Sequence, residues 1–236
     1  MPWCDNRHQA SGQATCARQL LRSRLTQMDN KLRPEILDEL RWDARVDAAK
    51  VTVTIAGGTA VLRGSVHTYP EKCRCEQIVK RIRGVTAVRN QIEVRLMIAD
   101  YRSDETLQRL ASEVLESIAL LPHERPSATV AAGRVTLEGS VAFAFQKRLA
   151  EEAVGLIAGV RSIANRIELI PRTAAPIDLK RSLERRVPRK IEVSADGGRV
   201  TLSGTVRTCA ERDDLVDTAW CAPGVSVVED RLQVHP

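Results

Sequence analysis

Apolar residues alternate strictly in the stretch KVTVTIA, which sets Val51, Val53 and Ile55 on one face and Lys50, Thr52 and Thr54 on the other. That is the signature of a half-buried strand. Gly57 and Gly58 follow as a tight turn, and a second strand returns with Ala60, Leu62, Gly64 and Val66 on its inner face. The period then changes: Cys75, Ile78, Val79 and Ile82 recur at i, i+3, i+4 and i+7 and predict an amphipathic helix. A last strand carries Val88, Asn90, Ile92 and Val94 on one side. Upstream, Pro34 suits the first turn of a helix whose Ile36, Leu37, Leu40 and Trp42 offer an apolar side.

This pattern is written three times. Gly58, Gly64, Gly84 and Asn90 have counterparts in Gly133, Gly139, Gly159 and Asn165, and again in Gly198, Gly204, Gly224 and Asp230. The first interval is six residues and the second twenty in every copy, so one structural unit is used three times. The predicted architecture is α+β: three tandem αββαβ modules, sandwich-like, each a three-stranded mixed sheet covered on one face by two helices. The second unit opens with a helix from Ser103 carrying Leu107, Leu110, Val114 and Ile118, leaves it through Pro122, His123 and Pro126, and the third enters through a linker at 171–176.

The expected boundaries are 35–97, 103–171 and 175–235. A basic extension over 1–34, with Leu20, Leu21, Leu25, Met28 and Leu32 at helical spacing, is expected to be poorly ordered. A glycine repeated on the inner face of the second strand predicts a close approach by a covering helix, or a bulge. Gly84, Gly159 and Gly224 read as helix C-terminal caps. The polar member of the last strand's apolar face, Asn90, Asn165 or Asp230, must find partners and is expected to hold a loop or a helix end.

Composition narrows the function. The 43% apolar and 28% charged residues describe a globular chain, and 3% aromatic leaves little for stacking on bases, so nucleic acid is disfavoured. A net charge of +6 and a pI near 9.2 favour anionic partners. No apolar run reaches membrane-spanning length, and the first residues lack the apolar region of a secretory signal, so a cytoplasmic location is expected. The six cysteines show no zinc-site spacing, and reduced thiols are the simplest reading.

The stretch from LDELRW to QIEV, with GRVTLEGSV and GGRVTLSGTV and the helices and Gly-Val pairs that follow them, closely resembles the BON domain. The matched residues include Glu71, Lys72, Gln146, Lys147, Glu211 and Arg212 at the start of each second helix. Gln146 and Asp230 depart from the acidic residue and the asparagine of the family pattern. The resemblance implies a non-enzymatic module that binds phospholipid or membrane surfaces, or other proteins, in osmotic or general stress. Its stress-induced relatives are periplasmic, which makes a periplasmic or envelope-associated location the alternative.

The common local catalytic signatures are absent, and the four histidines are scattered, so no catalytic residue, metal ligand or cofactor is assigned. The candidate site is a basic cluster in the first unit for anionic lipid head groups. Lys50, Arg63, Arg89 and Arg95 are expected on the exposed sheet face, and Lys72, Lys80, Arg81 and Arg83 on the second helix. The alternative is a soluble protein-interaction or small-ion-sensing scaffold.

Overall fold

The computed structural model describes residues 29–121, 126–170, 179–188, 190–196, 198–222 and 224–235. Residues 1–28 of the extension expected over 1–34, Pro122 and His123, and the linker at 171–176 lie outside them.

The first unit runs from a helix over residues 29–42 (α1) through β1 (Val51–Ala56), β2 (Thr59–Val66) and α2 (Tyr69–Lys80) to β3 (Ala87–Val94). The second comprises α3 (Asp104–Ser117), β4 (Ser127–Ala131), β5 (Arg134–Glu138), β6 (Ser140–Val141), α4 (Ala144–Gly155), β7 (Ser162–Asn165) and β8 (Glu168–Leu169). The third comprises α5 (Leu179–Glu184), β9 (Ile191–Asp196), β10 (Arg199–Val206), α6 (Cys209–Trp220) and β11 (Val227–Val234). In every unit the first two long strands form an antiparallel hairpin, and the last strand joins the middle one in parallel after a helical crossover. The α+β class and the threefold αββαβ plan are as the hydrophobic pattern predicts.

Both helices of a unit lie on one sheet face. In the first unit Leu32, Ile36 and Leu40 of α1 meet Cys75, Ile78 and Val79 of α2 over Val53, Leu62 and Ile92. The other face is open, with Thr52, Thr54, Arg63, Arg89, Gln91 and Glu93 exposed. Helix α1 already contains residues 29–34, so Pro34 lies within it rather than opening it. Trp42 is 86% exposed and forms no part of the buried stripe. In α3 the buried stripe is Leu107, Ala111 and Leu115, with Leu110 and Val114 on its flank.

The helix starts are tied to the hairpins. Gly57 and Gly58 both have positive φ, as a two-residue hairpin turn requires, and their amides donate to Asp29 Oδ2 and Oδ1 at 2.9 and 3.2 Å. The second unit repeats this with Asp104, whose two carboxylate oxygens accept from Ala132 and Gly133 at 2.7 and 2.9 Å.

The repeated strand glycine has a different cause from either expected one. Gly64, Gly139 and Gly204 have φ of 126, 133 and 138°, and a Cβ on each would meet Lys50 O at 2.0 Å, Pro126 Cα at 3.0 Å and Lys190 O at 2.9 Å. The close approach is made by the chain entering the neighbouring strand, not by a covering helix, and the Val51 to Gly64 pairing continues the ladder without a bulge. Gly84 stands three residues beyond Arg81, the true C-cap of α2, where a side chain would strike Leu32 at 3.2 Å. Gly64→Ala combines a collision with a backbone carbonyl and a disfavoured φ, and is expected to lower unfolding free energy by at least about 2 kcal/mol in chemical denaturation.

Candidate functional site

Each second helix is seated by hydrogen bonds at its start and its middle. Thr68 Oγ1 accepts from Glu71 N, and the Glu71 carboxylate accepts from the amides of His67 and Asp47 at 3.0 and 2.9 Å. Gln146 takes the same place in α4: its Oε1 accepts from Ala142 and Phe143, and its Nε2 donates to Leu120 O at 2.6 Å. Asn90 Nδ2 donates to Lys72 O at 3.0 Å and to Glu76 Oε2 at 3.2 Å, while Oδ1 accepts from Ile92 N. Asn165 repeats all three bonds with Lys147, Glu151 and Ile167. Asp230 has no donor, and there the polarity reverses: Arg212 Nε donates to it at 2.6 Å, and Val216 stands where the other units have glutamate.

So placed, the second helices join the units head to tail. Tyr69, at the start of α2, lies against Gly155 at the end of α4 and donates to Glu151 Oε1 at 3.3 Å. Arg148 of α4 pairs with Asp217 of α6. Asp213 of α6 pairs with Lys80 of α2 at 2.9 Å, and Cys209 is buried in the first unit's core with Sγ 3.2 Å from Val85 O. Desolvation pulls the Lys80 pKa down, and the carboxylates of Asp213 and Glu76 more than reverse it. Burial holds the Asp217 carboxyl above its ordinary range despite Arg148.

The predicted basic cluster is divided by this arrangement. Lys80 is taken up by Glu76 and Asp213, and Lys72 is half-buried beside Asn90. Arg81 and Arg83 face a groove of about 800 Å³ between α1 and α2, with Glu35, Glu39 and Trp42 on its other wall. Asp43, at its end, is held well below the usual carboxylate range by Arg45 and Arg74. Arg63, Arg89 and Arg95 lie on the opposite, open sheet face, where Arg63 donates to Gln91 at 2.9 Å and Arg95 pairs with Glu93 at 3.4 Å. Lys50 Nζ contacts Asp47 and His67 Nε2, each at 2.9 Å. No flat surface can touch the helical and the sheet groups together.

A feature outside the predicted set adjoins the sheet group. The turn after β3 exposes Met97 by 57%, Ile98 by 97% and Tyr101 by 65%. Arg95 and Arg102 flank it, and the Arg161 guanidinium lies 5.6 Å from the Tyr101 ring centroid. The sequence signal was the run RLMIADYR, which follows the last strand without apolar periodicity of either kind. Among the described residues no group of three or more His, Cys, Asp or Glu comes together to hold a metal ion, and no helix is long and apolar enough to cross a membrane.

The BON domain model matches residues 28–95, 103–171 and 178–236. The chain belongs to the BON domain family. Its three matches coincide with the three BON units described above, and the first includes the clamp residue Asp29. No curated protein matches the chain. Among solved structures it is similar to CdsD, a structural protein of the Type III secretion system of Chlamydia trachomatis, at 14% identity, covering 87% of this chain and 93% of that one with a TM-score of 0.23. It is also similar to the periplasmic domain of PrgH, the Type III secretion inner membrane protein of S. typhimurium, at 11% identity, 79% and 95% coverage and a TM-score of 0.20. TM-scores this low carry no weight for function.

Two outcomes test the site's environment. Alanine replacements of Lys80 and Asp213, alone and together, should give a coupling energy of about 1 kcal/mol in denaturation, with none between Lys80 and the neighbouring Asp214. Burial pushes the Cys75 thiol up to about 12. At pH 8 only about one Cys75 in ten thousand is thiolate, so a disulfide reagent should modify exposed Cys221 and reach Cys75 only on unfolding.

Proposed function

We propose that this BON protein is a non-enzymatic binding module of a stress response that docks on anionic membrane surfaces through the turn after β3. The observation that carries the reading is the Met97, Ile98 and Tyr101 turn, exposed to solvent and set among Arg95, Arg102 and Arg161. Apolar side chains that enter the interface, with guanidinium groups at head-group level, combine the two contributions that peripheral binding requires. Arg63 and Arg89 extend the same basic face across the open sheet. Arg81 and Arg83 point elsewhere and have acidic neighbours, so they take no part.

Flotation with phosphatidylglycerol-rich vesicles should show binding that weakens as salt rises and is absent on pure phosphatidylcholine. Replacing Arg95, Arg102 and Arg161 by Gln should weaken it on the order of a hundredfold, at about 1 kcal/mol for each charge near the surface. Ile98→Asp should weaken it without altering the fold, since this side chain touches no core. No binding at low salt, or binding indifferent to Ile98→Asp and the three arginine changes, would overturn the reading.

A further inference from the structure

A second surface of the first unit lies on the far edge of its sheet, away from the turn after β3. A groove of about 480 Å³ runs between α1 and β1, walled by Arg33, Leu37 and Arg41 and floored by Val46, Val51 and Thr52. The Thr52 side chain faces the open side of the sheet, so the residue meets the groove with its main chain. β1 is an edge strand, since β2 occupies the middle of the sheet. The two-residue turn makes Ala56 and Thr59 a hydrogen-bonded pair, and Thr54 and Thr52 follow in step. Val53 and Ile55 therefore aim their amides and carbonyls outward, into the groove's open side.

The core stripe Leu32, Ile36 and Leu40 has apolar counterparts in Leu107, Ala111 and Leu115. The neighbouring stripe Arg33, Leu37 and Arg41 is Gln108, Ser112 and Glu116 in α3. In the third unit the described part of α5 is Leu179–Glu184. The basic rim and apolar wall of the first unit are thus replaced in the second, on a helix face that the fold leaves free to vary.

We propose that this groove takes an extended acidic peptide of a partner protein, which adds to β1 as a fourth strand. Arg33 and Arg41 stand eight positions apart on a helix, roughly 12 Å at 1.5 Å per residue. A strand covers that distance in about four residues, an even number, so two carboxylates at i and i+4 share the face that meets both guanidiniums. The residue midway between them lies over Leu37 and suits a small apolar side chain. The recognised pattern is acid, any, apolar, any, acid.

The test is selection of a displayed library of random short peptides on the full chain and on a variant carrying Arg33→Gln, Leu37→Ser and Arg41→Glu, the residues that the second unit already uses. The full chain should enrich the acid–apolar–acid pattern, and a synthetic selected peptide should bind the variant at least about tenfold more weakly. Hydrogen exchange at Val53 and Ile55 should slow when that peptide binds, and Ile98→Asp should leave peptide binding unchanged, which separates this site from the membrane-docking turn. No enrichment, equal enrichment on the variant, or protection confined to other strands would overturn the proposal.

Discussion

The position of every second helix depends on one polar bracket from the last strand. A small sheet covered on one side can bury apolar side chains in many helix orientations, because hydrophobic contact has no direction. Asn90 and Asn165 remove that freedom by bonding one particular carbonyl and one particular carboxylate of the helix, while also accepting an amide of their own strand. Asp230 keeps the bracket with opposite polarity, and Arg212 and Val216 change with it. A carboxylate facing glutamate would be repelled, so the three positions vary as a set.

From the bracket follows the association of the units. Helices held at one angle present the same two ends in each unit, and the contacts among them specialise by chemistry: a phenol to a carboxylate, a guanidinium to a carboxylate, an ammonium to a carboxylate. These groups sit on the helical side of the sheets, which leaves the open sheet faces, their edges and the turn after β3 as the surfaces on which a partner can act.

Much of the fold was legible because period-two strands and glycines at fixed intervals survive divergence. Trp42 was misplaced because it follows Leu40 by two positions, about 200° around the helix, whereas Leu32, Ile36 and Leu40 hold one stripe. Asp29 lies inside the basic extension of 1–34, ahead of the first expected unit. Extending the register by one more turn would have aligned it with Asp104 and shown the clamp. The strand glycines announced a close approach but not its source, since a bare sequence does not say which backbone comes near. The basic cluster was legible as composition only, because Lys80 is neutralised by Asp213, more than a hundred residues away, and no local pattern foretells that pairing.

The head-to-tail sense of the helix contacts bears on copy number. Each unit offers the start of its second helix to one neighbour and the end to the other, so the relation is heterologous, of the kind that makes either closed rings or open filaments. Three copies on one polypeptide return to the starting unit, as Cys209 and Asp213 meet Val85 and Lys80. Two copies would leave a sticky pair of unmatched ends and grow by addition from molecule to molecule. The third unit thus closes the cycle and keeps the assembly finite.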